Sequence, residues 1–142
     1  MTVELNVLRS PGGREVTRIL CMRDRGYRRG GMPCVVSLDT SRSSLAADVR
    51  LRPPETAQVE LGRQEPLELR VFVDRSVVEV FVNGRQCIAA RVYPEHEDSI
   101  GVSFRAQGRE ATLTSLDAWQ MKSIWQEKFG EEVTRDSGGD RP

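Results

Sequence analysis

Apolar and polar residues alternate along most of the chain, and Gly, Pro, Asn and Asp separate the alternating runs. This period of two is typical of β-strands, whose successive side chains point to opposite faces of a sheet. Val59 and Leu61 are isolated apolar residues in a predicted loop. Trp119 and Met121 alternate in the last predicted strand, so Trp119 is expected to pack in the core. About ten short strands with almost no helix predict an all-β, two-layer antiparallel β-sandwich of jelly-roll or concanavalin-like type. The predicted strands are TVELNVL, REVTRILC, PCVVSLD, LAADVRL, LELRVFV, the two runs on either side of Asn83-Gly84, IGVSFRA, EATLTSL and AWQMKSI.

One dipeptide gives the clearest turn signal in the chain. Asn83-Gly84, between two alternating runs, suits the positive φ angles of a two-residue type I′ turn. In this register Val82 lies opposite Arg85, and the valines that precede the turn share their face of the sheet with Cys87. Apolar residues occur on both faces, as expected for a strand inside a two-layer stack.

Length and composition limit the class of protein. A chain of 142 residues has the size of one domain that buries a core without disulfides or metals. The 21 Lys and Arg residues balance the 21 Asp and Glu residues, so no long-range field attracts nucleic acid or an anionic membrane surface. No window approaches the ~20 apolar residues of a membrane span, and the N-terminal residues lack the pattern of a secretory signal. We therefore expect a soluble, unexported chain, cytoplasmic by default, that binds neither nucleic acid nor membrane.

Cysteine and histidine give no sign of a cofactor or metal site. Cys21, Cys34 and Cys87 are odd in number, widely spaced and without a nearby histidine. The sequence therefore predicts small buried thiols, and neither disulfides nor zinc ligands. His96 lies in the polar run YPEHEDS, with no serine or cysteine motif around it, and is expected in a solvated loop. No cofactor is expected.

Asp74 and Glu79 are the acidic residues most suggestive of catalysis, because they lie within the apolar run LRVFVDRSVVEVFV. A retaining glycosidase needs a nucleophile and an acid about 5 to 5.5 Å apart, with the pKa of the acid raised. In an extended chain these two residues would be roughly 16 Å apart. A turn at Asp74-Arg75-Ser76 would shorten this distance but would not form a pocket. We expect Asp74 to accept backbone hydrogen bonds in an Asx-type turn with Arg75 and Ser76. A hydrolase that uses Asp74, Glu79 or His96 on the sandwich itself is disfavoured.

Four motifs follow one another along the second half of the chain: LRVFVDRSVVEVFVNGRQC, RVYP, DSIGVSF and SLDAWQMKSIW. Together they resemble the C-terminal β-sandwich of glycoside hydrolase family 32, the invertases, levanases, inulinases and other β-fructosidases, and the resemblance extends from Val3 to Trp125. The sandwich domain is therefore predicted at residues 1–125, and the charged remainder at residues 126–142 is predicted to be a flexible tail. The motif residues with expected structural roles are Asp74, Arg75, Glu79, Asn83, Gly84 and Trp119.

The resemblance implies where the catalytic residues of such an enzyme lie. In that family a five-bladed β-propeller precedes the sandwich and carries Asn-Asp-Pro-Asn, Arg-Asp-Pro and Glu-Cys motifs with the nucleophile, the transition-state stabiliser and the acid. None of these motifs occurs here, since RDRG at residues 23–26 lacks the proline and no cysteine follows a glutamate. The resemblance therefore implies a non-catalytic domain whose partner is a β-propeller, and no catalytic residue is assigned.

The resemblance also implies a missing element. Family sandwiches open with another strand ahead of the region that matches VELNVLRSPGGREV, so this chain is expected to lack its first strand. An unpaired sheet edge, together with an apolar patch that a propeller would cover, favours pairing with another chain. We expect self-association, with a two-fold dimer as the simplest closed arrangement.

A stand-alone, lectin-like carbohydrate-binding module is the alternative function. Tyr27 and Tyr93 are the candidates for stacking on a sugar ligand, with loop packing as their competing role. Asp39, Ser41 and Ser44 in SLDTSRSS are candidate calcium or hydroxyl ligands, although such runs are more often turns.

Overall fold

Eight β-strands and no helix occur among the residues that the computed structural model describes, which are 1–23, 32–62 and 64–122. The strands are β1 (Thr2–Arg9), β2 (Val16–Arg23), β3 (Met32–Arg42), β4 (Glu55–Leu61), β5 (Leu69–Asp74), β6 (Val77–Val82), β7 (Gln86–Arg91) and β8 (Gly101–Gln107). They form two antiparallel sheets, with the strand orders β4-β3-β2-β1-β8 and β5-β6-β7. No helix in this part of the chain is long and apolar enough to cross a membrane. The prediction of an all-β antiparallel sandwich is confirmed.

The core lies between the two sheets and consists of aliphatic side chains from their inner faces. Alternate residues of each strand point inward, since successive side chains lie on opposite faces of a sheet. Those of β2, β3 and β6 are the most deeply buried, because these strands have neighbours on both sides. Burial of each such side chain contributes about 1.5 to 3 kcal/mol by removing apolar surface from water. The fully buried aliphatic side chains of these three strands are Ile19, Val36, Leu38, Val78, Val80 and Val82.

The chain divides into two compact units, Met1–Thr112 and Leu113–Pro142. All eight strands belong to the first unit. In the second unit, residues 113–122 are described and contain no strand.

The prediction of two strands after β8 is wrong for the described residues. EATLTSL and the first five residues of AWQMKSI are not in strands, because alternation produces a strand only where another strand pairs its backbone. Trp119 lies in the second unit and is 83% exposed. Trp125 lies outside the described residues.

Two further strand assignments, both between β3 and β5, are corrected. Val59 and Leu61, predicted in a loop, belong to β4 and are buried where β4 pairs with β3. The alternation of β4 is weak because its preceding inward residue, Ala57, is small. Residues 45–51, predicted as a strand, contain none. Leu51 is 75% exposed, so its side chain supplies no burial that would hold a strand there.

The Asn83-Gly84 turn has the predicted positive φ angles, 49° and 61°, but the predicted register is wrong. Val82 pairs with Gln86 and not with Arg85. Arg85 is therefore an extra residue of the turn, and its backbone N–H donates to the Val82 carbonyl at 2.9 Å.

This one-residue shift reverses the faces of β7. Ile88, and not Cys87, lies opposite Val80 and packs in the core. Cys87 is exposed, so its predicted burial is wrong. The observed register buries the large apolar side chain of Ile88, while Arg85 lies outside the ladder and pairs with Glu65 at 2.7 Å.

Cys21 and Cys34 are free thiols buried in the core, as predicted. Burial raises the pKa of Cys21 to about 12 and shifts the pKa of Cys34 in the same direction. Both thiols therefore stay protonated and act as small apolar packing groups.

Glu15 is a fully buried carboxylate immediately before β2. Its oxygens accept hydrogen bonds from the backbone N–H groups of Leu45 (3.0 Å), Glu95 (2.7 Å) and His96 (3.1 Å) and from the Ser99 hydroxyl (2.6 Å). Burial alone would raise the pKa of Glu15, but these four hydrogen bonds outweigh it and lower the pKa from 4.5 to about 2. Glu15 thus ties the loop after β3 and the connection between β7 and β8 to the β1–β2 hairpin.

Replacement of Gly84 by Val should destabilise the sandwich by about 1 kcal/mol or more, because a β-branched residue is strained at positive φ. The space around Gly84 is open, so the variant tests backbone conformation and not crowding. The matched control is Gly12→Val, at an exposed glycine with open surroundings and no positive φ. Thermal unfolding should show the lower Tm for the Gly84 variant, and equal Tm values for the two would contradict the turn conformation.

Replacement of Glu15 by Gln should remove a pH-dependent part of the stability. Because the pKa of folded Glu15 lies below its ordinary value, the ionised carboxylate stabilises the fold above about pH 5, and this contribution is lost as the pH falls towards 2. The pKa difference corresponds to about 3 kcal/mol. Urea unfolding between pH 7 and pH 2 should show a smaller and flatter free energy of unfolding for Glu15→Gln. Glu97→Gln, at an exposed residue of the same connection, should behave like the unaltered chain.

Candidate functional site

The acidic residues Asp74 and Glu79 lie on the β5–β6 hairpin, whose turn has Arg75 at a φ of 51°. The turn folds the chain back, so that Glu79 lies opposite Phe72. Asp74, two residues beyond Phe72, is therefore a diagonal neighbour of Glu79, with the backbones of the two residues about 7–8 Å apart. In a fully extended chain the same two residues would be roughly 16 Å apart. The hairpin brings the two carboxylates to one face of the smaller sheet.

That face of the smaller sheet is open to solvent. The rings of Phe72 and Phe81 meet edge to face, with centroids 5.7 Å apart, and Phe72 is 41% exposed. Asp74 is exposed and makes no side-chain hydrogen bond within the described residues, so the expected Asx-type turn is not formed. An open sheet face supplies neither the enclosure nor the desolvation that raises the pKa of a catalytic acid.

Asn83 is a hydrogen-bonding centre at the end of the β6–β7 hairpin. Its side-chain oxygen accepts from the backbone N–H of Glu68 (3.0 Å), and its side-chain nitrogen donates to the carboxylate of Glu65 (3.2 Å). The backbone N–H of Gly62, the side chain of Arg85 and that of Asn83 all contact the Glu65 carboxylate and lower its pKa. The turn and the loop before β5 are thereby held together.

A row of polar side chains crosses the outer face of the larger sheet. Asn6 donates to the Glu4 carboxylate (2.9 Å) and to the Ser103 hydroxyl (3.1 Å), and Glu4 pairs with Arg105 at 2.7 Å. Burial acts to raise the pKa of Glu4, but Arg105 and Asn6 outweigh it and lower the pKa. Glu4 and Asn6 are only 6% and 8% exposed. The row is therefore a buried structural network.

The polar row continues to Arg18 and Asp39, which form an ion pair between β2 and β3. Burial acts to raise the pKa of Asp39, but the bonds from Ser41 and the charge of Arg18 outweigh it and lower the pKa. Asp39 accepts the backbone N–H of Ser41 at 2.9 Å, and the Ser44 hydroxyl accepts that of Ala46 at 3.1 Å. The candidate calcium or hydroxyl ligands Asp39, Ser41 and Ser44 thus make local contacts with the backbone.

The described part of the chain brings no cluster of metal-ligand residues together. No group of three or more His, Cys, Asp or Glu residues in it could hold a metal ion. Tyr93 follows β7 and is 49% exposed, whereas Tyr27 lies outside the described residues. His96 is exposed, as predicted for a loop residue, and its backbone N–H binds Glu15.

An open depression of about 400 Å³ lies where the end of β3 and the residues around the start of β4 meet β6 and β7. Arg52, Glu55 and Arg91 supply its charged groups. No aromatic ring occurs among the lining residues that lie in the described part of the chain. Sugar sites combine stacking surfaces with converging polar groups, so the depression lacks one of the two requirements.

The carboxyl groups of the described chain whose pKa values are shifted are all shifted downward. Glu4, Glu15, Asp39 and Glu65 are held ionised by hydrogen bonds and ion pairs. The acid of a retaining glycosidase requires the opposite, a carboxyl group whose pKa is raised. These four carboxylates can join segments of the chain, but they are poor proton donors.

Sequence reasoning missed Glu15 and the pair Glu4 and Asn6. Glu4 and Asn6 alternate with apolar residues in β1, so the pattern alone places them on a solvated face. Their partners Ser103 and Arg105 are 97 and 101 residues away in the chain. Only the pairing of β1 with β8 shows that these side chains form a network.

Comparison with known proteins identifies relatives of this sandwich. The family model described as "Glycosyl hydrolases family 32 C terminal" matches residues 2–120. Acid beta-fructofuranosidase 4, vacuolar, of Arabidopsis thaliana is 38% identical over 68% of this chain and 15% of its own length. Raffinose invertase of Escherichia coli is 45% identical over 44% of this chain and 13% of its own length.

A solved structure supports the same relationship. The crystal structure of fructan 1-exohydrolase IIa from Cichorium intybus matches with a TM-score of 0.59 and 26% identity, over 67% of this chain and 18% of that chain. This chain therefore spans less than a fifth of the length of each of these three relatives. Because the family model matches residues 2–120 of 142, the chain belongs to the C-terminal domain family of the family 32 glycosyl hydrolases.

Proposed function

We propose that this chain is the non-catalytic sandwich partner of a β-fructosidase-type catalytic propeller, the part that acts on sucrose or fructans, and that it stabilises the propeller by packing against it. The observation that carries the proposal is the state of the buried carboxylates. Glu4, Glu15 and Asp39 are each bound by donors that keep them ionised, which suits a rigid scaffold and not a proton donor.

The open acidic face supports the same conclusion. Asp74 and Glu79 lie diagonally across the β5–β6 hairpin on an open sheet face, and not in a pocket that would hold a sugar between a nucleophile and an acid. Phe72 and Phe81 beside them form no wall around a sugar, since both lie on the same open sheet face. These surroundings do not suit glycoside cleavage.

The relatives support a partner domain. Their names are those of a fructofuranosidase, an invertase and a fructan exohydrolase, and more than four fifths of each lies outside the region matched by this chain. That remainder has room for a separate catalytic domain. A sandwich with its own core, fixed internally by Glu15, is suited to serve as a rigid support beside it.

The purified chain should release no fructose from sucrose or from a fructan, because it has no nucleophile and acid in the required geometry. The measurement is fructose release over a long incubation at high protein concentration. The control is the double variant Asp74→Asn, Glu79→Gln, which should give the same background as the unaltered chain. Fructose release that disappears in the double variant would identify a catalytic site on the sandwich.

Grafting tests the supporting role directly. In raffinose invertase of Escherichia coli, the region that this chain matches is deleted or replaced by residues 2–120 of this chain. We expect the deletion to lower the Tm and the graft to restore it, with the KM for raffinose unchanged, because the sandwich contacts no substrate. A graft that carries Glu15→Gln should restore less of the Tm. A KM altered by the graft at full stability would contradict a purely supporting role.

A further inference from the structure

The β6–β7 turn contains a chemically reactive pair of residues. The chain has two asparagines, Asn6 and Asn83, and only Asn83 precedes a glycine. A backbone nitrogen can attack the side-chain carbonyl carbon of the asparagine before it, and glycine permits this most readily because it has no side chain in the way. Asn6 precedes the β-branched Val7, in a strand that is paired on both sides. Asn83-Gly84 is therefore the pair in this chain that is suited to the reaction.

The nitrogen that would attack is the backbone nitrogen of Gly84. Its N–H makes no hydrogen bond within the described residues. A Cβ placed on Gly84 would meet no described atom within 4 Å, its chain neighbours aside. No hydrogen bond and no crowding among these residues therefore oppose an approach of the Asn83 side chain to this nitrogen.

The loop before β5 binds both polar atoms of the Asn83 side chain. The side-chain nitrogen donates to the Glu65 carboxylate (3.2 Å) and to the Pro66 carbonyl (2.9 Å). The side-chain oxygen accepts from the backbone N–H of Glu68 (3.0 Å). Rotation of the amide towards the Gly84 nitrogen breaks these hydrogen bonds, so the rate of attack depends on how often the contact opens.

We propose that Asn83 is a site of spontaneous deamidation, and that the reaction releases the loop before β5 from the β6–β7 turn. The Gly84 nitrogen bonds to Cγ of Asn83, the bond from Cγ to Nδ2 breaks, and Nδ2 leaves as ammonia with the proton of the Gly84 N–H. Water then opens the resulting cyclic succinimide at either carbonyl and gives aspartate or isoaspartate. The net reaction consumes water and releases ammonia, and it needs no oxidant or reductant.

The product carboxylate cannot keep the contacts of the amide. A carboxylate has no N–H to donate, so the hydrogen bonds to Glu65 and Pro66 are lost. The backbone N–H of Gly62 and the side chain of Arg85 lower the pKa of Glu65, so its carboxylate is ionised and repels the new negative charge. The isoaspartate product also lengthens the backbone of the turn by a methylene group. Deamidation thus replaces an attraction between turn and loop by a repulsion.

Peptide mapping by mass spectrometry tests the modification, after the folded chain has been kept in a mildly alkaline buffer. We expect aspartate and isoaspartate at Asn83, separated by chromatography, and no conversion at Asn6. Glu65→Ala, which removes a hydrogen bond from the Asn83 amide, should raise the rate about fivefold. The matched control Glu68→Ala removes a carboxylate of the same loop that pairs with Arg70, and it should leave the rate unchanged.

Two results of this mapping would overturn the proposal. One is a folded chain that stays unmodified at Asn83 over a time in which the same chain in urea is converted. The other is an equal rate for Glu65→Ala and Glu68→Ala, because the contact with Glu65 would then not control the reaction.

Thermal unfolding tests the release of the loop. Asn83→Asp reproduces the aspartate product and should lower the Tm by about 3 °C or more. In a Glu65→Gln background the same substitution should lower the Tm by less, because no charge at position 65 repels the new carboxylate. An unchanged Tm, or an equal decrease in both backgrounds, contradicts release of the loop by charge repulsion.

Discussion

The buried carboxylate of Glu15 is the interaction on which the arrangement of the sandwich most depends. Its four hydrogen bonds reach the loop after β3 and the connection from β7 to β8, which is the passage from the smaller sheet to the larger one. Only an ionised carboxylate can accept from four donors without offering one of its own. The cost of burying the charge is offset because every donor is already positioned by the backbone or by Ser99. The two sheets are thus connected through a polar group as well as through their apolar core.

The other buried acidic groups follow the same physical rule. Glu4 and Asp39 each face an arginine and further donors, and burial without these partners would push their pKa values upward. A catalytic acid needs a carboxyl group whose pKa is raised by burial without such partners, whereas the partners of Glu4 and Asp39 lower the pKa. At each of these positions, hydrogen bonds and an arginine keep the carboxylate ionised and fixed in place.

The unequal sheets impose a second constraint. Among the described residues, a sheet of five strands faces a sheet of three, and Val102 and Phe104 of β8 are exposed apolar side chains of the larger sheet. An apolar surface beside an unpaired strand edge lowers its free energy by acquiring both side-chain cover and backbone partners.

The sequence by itself determined the local properties of this protein. Period-two alternation led to antiparallel strands, and Asn83-Gly84 led to positive φ angles, because both depend on a few adjacent residues. The absence of the three propeller motifs likewise left no catalytic residue to assign. Only the tertiary structure decided the register of the hairpin, the strand β4, the exposure of Cys87 and the role of Glu15. These depend on contacts such as Arg85 with Glu65 or Glu15 with Ser99, between residues far apart in the chain, and such contacts leave no periodic signature in the sequence.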